Sequence, residues 1–476
     1  MIVRDLAPIE AFEAARRLAG LPGLAFLDSA MRPEALGVHA RLGRWSYVAA
    51  DPWALFTVRG GRAFLDGEAL DGAPLDALRR LVGREARDGD DDMPPFVGGA
   101  IGVLAYDFGR RLERLGEPAE AEPVPEAMFG LYDTFLAFDH VEGRVRLIST
   151  GRPEIEEAAR RRRAQARADL FLMRLDRPAR PPGATRLAFR PTVDRATHEA
   201  RVAAGIEHVL AGDVFQVNLA QRFVAPLPPD FDALAFHGVL RAVNPAPFAA
   251  FLALGAVEIA SASPERFLEV RDGRIEARPI KGTARRVVDP AEDALAAARL
   301  ALSEKDRAEN VMIVDLMRND LSRVCEDASI DVPVLCGIES YAGLHHLVSV
   351  VTGRLAPGRD AIDAVAAAFP GGSITGAPKI RAEEIITELE GHGRGVYCGS
   401  IGWLGHDGSM DLDIAIRTVV FRDGEATVSV GGGITALSDP AAEYDETLTK
   451  AARIFVAAGM GETPESIAAG RREAAE

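Results

Sequence analysis

The chain has 476 residues, 48% of them hydrophobic, which is ample for a large core and, by length alone, for about three domains. A net charge of −16 argues against nucleic acid and anionic membranes as partners, so an anionic substrate has to be met locally by a metal or by buried basic groups. Three cysteines, Cys325, Cys336 and Cys398, stand far from any Cys-x-x-Cys spacing, which argues against a disulfide framework and suits a reducing compartment.

Arg4 and Asp5 interrupt the N-terminus where a signal peptide needs an apolar run. The longest uncharged stretch, Ala242–Val257, holds two prolines and falls short of the roughly 20 residues of a membrane helix. A cytoplasmic protein is expected. Residues 1–175 form an N-terminal region with strands at Tyr47–Ala50, Gly99–Tyr106 and Leu131–Phe138, an acidic loop at Asp88–Asp92, and a closing helix that carries Arg160–Arg163 as a solvated face. Residues 176–191 are rich in Pro and Arg and have the composition of a linker. Residues 192–460 carry nearly all the chemistry, and 461–476 form a tail. Helices are expected at Arg195–Ala211, Glu304–Met317, Pro378–Leu389 and Ala441–Ala458. Strands are expected at Asn218–Val224, Phe248–Leu254, Val257–Ala262, His346–Val351, Gly399–Leu404, Asp413–Phe421 and Ala426–Gly431. Helices and mostly antiparallel strands in mixed order give an α+β fold.

A hairpin is predicted from RFLEV, the turn Asp272-Gly273, and IEARPI. It brings Glu265 and Lys281 to one open end. They are either an acid and an amine converging on a substrate or a plain cross-strand salt pair. Gly282 next to Lys281 lets backbone approach a ligand closely. Two helices offer acidic pairs. Ser303 caps one that presents Asp306 and Glu309. Ser438-Asp439-Pro440 opens the other, with Glu443, Glu446 and then Lys450. The pairs suit Mg²⁺ or are solvated first turns. The Gly-rich run Pro370–Gly376, with Ser373 inside it, leads toward a helix and is either an anion-binding loop or a tight turn. Gly431-Gly432-Gly433 closes a strand, and Tyr397 and Arg417 lie nearby, the arginine in an apolar strand where it needs a carboxylate partner. No Gly-x-Gly-x-x-Gly loop is present, and no cysteine sits in the Gly-x-Cys-x-Gly setting of a glutaminase nucleophile.

Together these residues resemble the chorismate-utilising enzymes, a family that includes anthranilate synthase component I, isochorismate and salicylate synthases, and aminodeoxychorismate synthase component I. The resemblance covers nearly the whole chain. It is strongest in GDVFQVNLAQRF (Gly212–Phe223), SPERFL (Ser263–Leu268), PIKGT (Pro279–Thr283), KDRAENVMIVDLMRNDLSRV (Lys305–Val324) and HHLVS (His345–Ser349). It continues through PGGSITGAPKIRA (Pro370–Ala382), RGVYCGSIGW (Arg394–Trp403), AIRT (Ala415–Thr418) and EYDETLTKA (Glu443–Ala451). Water-using members carry a lysine base where this chain has Gln216, which implies ammonia as nucleophile. Anthranilate synthases typically read Pro-Ile-Ala-Gly-Thr where this chain has Lys281, so the resemblance is nearest to the aminodeoxychorismate synthase branch; Asn310 and Met317 agree. Ala284-Arg285-Arg286 and Glu383 depart from the usual pattern, Glu383 standing where many relatives have Met.

The resemblance implies a large two-sheet β-sandwich with outer helices, the two regions forming one intertwined unit. It also implies that Mg²⁺ is held by Glu309 and Glu446, with support from Asp306 and Glu443, and binds the ring carboxylate of chorismate. Arg417, Tyr397 and amides near Gly433 take the enolpyruvyl carboxylate. Gly282, Thr283, His346, Ser373, Gly431 and Lys450 complete the substrate contacts. Lys281 attacks C2 while Glu265 protonates the leaving C4 hydroxyl, and ammonia from a separate glutaminase subunit adds at C4. Ser29, Arg44, Trp45 and Ser46 resemble a segment that binds tryptophan in some relatives, a site that here is regulatory, structural or empty. The alternatives are anthranilate synthase component I and a non-catalytic tryptophan-binding regulator on the same fold.

Overall fold

The computed structural model describes residues 1–31, 33, 41–83, 85, 92–340 and 344–461. Residues 88–91 of the expected acidic loop and 462–476 of the tail lie outside them. Two 12-stranded sheets, antiparallel throughout their strand pairings, form the body. The first runs from Ile2–Asp5 at one edge, through Trp45–Ala49, Ala25–Asp28, Phe248–Leu254 and Val257–Ser263, to Thr418–Arg422, Glu425–Ile434 and Gln216–Pro226. The second begins with Ile280–Arg285 and Leu344–Arg354. It passes through the hairpin strands Arg274–Ala277 and Arg266–Arg271 to Met410–Asp413 and Ser400–Gly405, then ends in strands from Gly99 to Ala69. Each sheet therefore draws strands from both ends of the chain.

The alternation of apolar residues explains the layering. Tyr47, Phe135 and Leu252 of the first sheet pack against Ile101, Val103 and Trp403 of the second. Outside, Phe223, Phe421, Val428 and Val430 meet the helices Ala233–Val243 and Pro440–Ala457. The second sheet is covered by the helix Glu304–Ser322 through Ile313, Val314, Met317 and Leu321. Fully burying each such side chain contributes about 1.5–3 kcal/mol. Among the described residues no helix is long and apolar enough to cross a membrane.

Two expected strands are broken. Leu131–Phe138 is two strands, Ala127–Tyr132 and Thr134–Asp139, one in each sheet. The chain crosses at Asp133, a fully buried carboxylate that accepts from Arg163 Nε at 3.2 Å and Arg167 Nε at 3.3 Å. Part of the basic run thus faces inward, while Arg161 pairs with Glu157 on the exposed side. Asp413–Phe421 likewise divides into Met410–Asp413 and Thr418–Arg422, in different sheets. Gly99–Tyr106 stops as a strand at Leu104 and turns into a short helical segment, Tyr106–Arg111.

Candidate active site

The hairpin forms as its sequence requires. Asp272 and Gly273 have φ of 51° and 72°, the doubly positive pair of a tight two-residue turn, and Val270 opposes Ile275. Carrying this register outward, Glu265 meets Ile280, whose amide donates to Glu265 Oε1 at 3.3 Å. There the second strand leaves its partner. Ile280–Arg285 continues along Leu344–Arg354, which already pairs with Arg274–Ala277, placing Ile280 opposite Val348 and Thr283 opposite His346, with an irregularity between. Lys281 and Gly282 occupy that irregularity. Gly282 has φ of 79°, and a Cβ there would lie 2.9 Å from the Asp306 side chain, so only glycine lets the strand pass the acidic helix.

Lys281 and Glu265 converge on Ser373. Lys281 Nζ donates to the Ser373 carbonyl at 2.8 Å, and the Ser373 side chain hydrogen-bonds the Glu265 carboxyl. Burial pulls the Lys281 ammonium below the ordinary lysine range, with Lys450 adding to it, against Glu309, Glu265 and Glu446. Burial pushes the Glu265 carboxyl above its ordinary range, against Ser373, Lys281, the Ile280 amide and Arg417. The amine is displaced toward its neutral form and the acid toward its protonated form, the states of a nucleophile and a proton donor.

The two acidic helices form as expected. Ser303 Oγ accepts from the Asp306 amide at 3.3 Å, and Asp439 Oδ1 from the Ala442 amide at 2.9 Å. They bring Glu309, Asp306, Glu446 and Glu443 near one another. Burial raises Glu309, helped by Asp306 and Glu446, and its Oε1 is buried without a hydrogen-bond partner. Glu446 Oε1 lies 2.7 Å from Lys450 Nζ, which also donates to the Gly431 carbonyl at 2.8 Å. Gly432, given no role of its own from sequence, lies against the pair Glu443 and Glu446. A Cβ on it would stand 2.9 Å from Glu443 Oε2 and 3.6 Å from Glu446 Oε1. The run of three glycines was its only sequence signal.

Of its two readings, the Gly-rich run takes the tight turn. A short strand, Gly376–Ala377, pairs with Gln216 and Val217 and separates the run from the helix, which starts at Lys379. Cations take its carbonyls: Lys281 at Ser373 and Arg394, at 3.0 Å, at Ile374. The backbone amides of Ile374 and Thr375 are spent inside the turn on Gly371 and Gly372 carbonyls. Arg417 does not lie in a strand. It sits in the crossing between the sheets with φ of 53°, a region disfavoured for a side-chain-bearing residue, and its charge acts on Glu265 and His346. His346 hydrogen-bonds Thr283 Oγ1 through Nδ1 at 3.1 Å, and burial, with Arg417 and His345, pushes it down to about 3, so its ring is neutral. Tyr397 is buried, and Gly433 lies against the Gln216 side chain of the neighbouring strand. A cavity of about 270 Å³ elsewhere is lined by Ser29, Arg44 and Trp45, with Trp403. Ser46 does not reach it. Its Oγ accepts from the Ser29 amide at 3.0 Å and bonds His140 Nε2 at 2.8 Å.

A family model described as chorismate binding enzyme matches residues 34–456. The chain belongs to that family and has the anthranilate synthase component I-like fold. It is 43% identical over 421 residues to aminodeoxychorismate synthase component 1 of Klebsiella aerogenes, covering 87% of this chain and 90% of the relative. It is 40% identical over 441 residues to anthranilate synthase component 1 of Streptomyces coelicolor, covering 90% and 83%. The crystal structure of anthranilate synthase component I from Streptococcus pneumoniae matches with a TM-score of 0.78 at 34% identity, over 86% of this chain and 92% of that one.

Proposed function

We propose that the chain converts chorismate and ammonia to 4-amino-4-deoxychorismate, as the synthase component of a two-component enzyme. The observation that carries this is the convergence of Lys281 and Glu265 on Ser373, each displaced toward the protonation state its role needs. Lys281 Nζ bonds to C2 while the ring double bonds shift and the C4 hydroxyl leaves as water with a proton from Glu265. Ammonia then bonds to C4, the double bonds return, and the lysine departs from C2. Arg417 and Tyr397 orient the enolpyruvyl carboxylate, and neutral His346 with Thr283 borders the ring. Gly282, Gly431, Gly433 and Lys450 border the substrate.

Glu309 and Glu446 fit Mg²⁺, an ion that takes one or two carboxylates and keeps several waters. The supporting observation is the buried Glu309 Oε1, which makes no hydrogen bond and has the Lys305 ammonium 4.0 Å away, beside a second carboxylate. Among the described residues no group of three His, Cys, Asp or Glu side chains forms a fuller cage. Asp306 and Glu443 would support the two ligands. When bound, the ion supplies a positive anchor for the ring carboxylate. Glu309→Gln or Glu446→Gln is expected to raise the Mg²⁺ needed for half-maximal rate by at least roughly 10- to 100-fold, what loss of a supporting partner alone costs. A Mg²⁺ titration identical to wild type, in a protein that melts normally, would sink the two-helix site.

Nitrogen is expected from a separate glutaminase subunit. Burial raises the Cys398 thiol to about 12 and Cys325 to about 11, so neither is a ready nucleophile. The purified chain, given chorismate, Mg²⁺ and ammonium salt at alkaline pH, should form 4-amino-4-deoxychorismate, identified by mass. Glutamine should not replace ammonium until a glutaminase subunit is added. Anthranilate with pyruvate as the products, or glutamine use by the pure chain, would contradict the proposal.

A further inference from the structure

The strand Gln216–Pro226 is paired with Glu425–Ile434 along one edge, but its other edge is covered only near its ends. Gly376–Ala377 covers Gln216 and Val217, and Arg190–Pro191 covers Phe223 and Val224. Between them one backbone carbonyl and two side chains stand in for a strand. The Asn218 amide donates to the Thr375 carbonyl at 2.8 Å, Arg394 Nη2 donates to the Asn218 carbonyl at 2.8 Å, and the Ala220 amide donates to Glu390 Oε1 at 2.9 Å. Buried backbone groups need such partners. Arg394 and Glu390, each side chain only 1% exposed, are joined by Nε to Oε2 at 3.0 Å and Nη2 to Oε1 at 2.6 Å.

The same guanidinium reaches further. Its Nη1 donates to the Ile374 carbonyl at 3.0 Å, one residue from the carbonyl that receives Lys281. Its Cζ lies 4.8 Å from the Tyr106 ring centroid and 5.7 Å from that of Tyr397. One planar group thus ties the Gly-rich turn, the strand opposite Gly433 and the Tyr397 ring together. We propose that Arg394 is a positioning residue for the reaction: through the Ile374 carbonyl it fixes the Ser373 carbonyl that receives Lys281, and through its face it sets the Tyr397 ring. This rests on the roles given above to Lys281 and Tyr397. A lysine at this position would keep the charge but would replace a rigid fork with one flexible ammonium.

Arg394 also lines a cavity of about 270 Å³ bordered by the first-sheet strands Thr418–Arg422 and Glu425–Ile434, so a small guanidinium can reach its place. Arg394→Ala should lower kcat by roughly 100-fold, the cost of a displacement near 1 Å. Cyanate should carbamylate Lys281 faster, relative to exposed Lys305, because Nζ is freed from its carbonyl. Millimolar methylguanidinium should restore part of both. Turnover and labelling like wild type, or an effect that methylguanidinium does not touch, would overturn the proposal. Should the single variant fail to fold, the paired variant Glu390→Gln with Arg394→Met leaves no stranded charge and keeps an acceptor for the Ala220 amide. Normal kcat and normal labelling of Lys281 in that variant also overturn it. Labelling needs no turnover, so a wild-type chain that makes no 4-amino-4-deoxychorismate would refute the proposed function while the Arg394 tie was still decided by cyanate.

Discussion

Lys281→Arg should form no covalent adduct with chorismate and should make 4-amino-4-deoxychorismate far more slowly than wild type, although it keeps the positive charge. The wild-type chain, given chorismate and Mg²⁺ without ammonia, should carry on Lys281 an adduct that has lost water relative to chorismate, found by peptide mass spectrometry. The proposed role is nucleophilic and not merely electrostatic. The amine is buried, so its charged form is disfavoured despite the carboxylates around it. Arginine stays protonated at any ordinary pH and is a very poor nucleophile. Glu265→Gln should slow adduct formation by roughly 10²- to 10⁴-fold, the usual worth of a placed general acid. Lys281→Ala should lose the adduct and still bind chorismate, since Arg417 and the acidic helices remain. An arginine variant as fast as wild type, with no adduct in either protein, would refute the covalent step and favour a synthase of the anthranilate type.

How far these residues could be read from sequence depended on whether their neighbours were local. The Asp272-Gly273 hairpin and the caps at Ser303 and Asp439 depend on residues a few positions apart, and all formed as expected. That Glu265 and Lys281 would approach was legible from the same hairpin. Their meeting at Ser373 was not, because Ser373 stands 92 residues beyond Lys281 in the chain. The acidic pairs were visible as helix faces, but that Gly432 lies against Glu443 and Glu446 was not, because it belongs to a strand that precedes their helix. Which of the two readings of the Gly-rich run holds was not legible for a related reason. Gln216 and Val217 needed a partner on their open edge, and Gly376–Ala377 became a short strand just before the helix that starts at Lys379. Arg417 shows the limit of periodicity. Apart from Arg417 and Thr418, residues 414–421 are apolar and read as one strand, while the backbone breaks at 414–417 to cross between sheets.

Glu383→Gln should stabilise the protein at pH 8 by about 3 kcal/mol and change little at or below pH 4.5. Glu383 is 2% exposed on the inner face of the helix Lys379–Glu390, and neither carboxyl oxygen has a hydrogen-bond partner. Burial raises it from 4.5 to about 7, with Glu113 adding and Lys379, Arg110 and Arg394 opposing. Those cations are committed elsewhere: Lys379 to Asp320 at 2.7 Å, Arg110 to Thr387 at 2.9 Å, and Arg394 to Glu390 at 2.6 Å. An acid whose folded value lies above its unfolded one keeps its proton longer in the folded state. Below about 4.5 both states are protonated and nothing is lost. Between about 4.5 and 7 the folded state binds more protons than the unfolded one, so stability falls as pH rises, and above about 7 the full cost is present. Glutamine is neutral throughout and of the same shape, so its advantage should grow through that window and then level off. Methionine, which many relatives of the family carry here, should act in the same direction. Denaturant midpoints of wild type and both variants at pH 4.5, 6 and 8 check this. A gain of equal size at all three values would assign the effect to packing, and a loss at pH 8 would mean that the buried carboxylate has a partner the folded protein depends on.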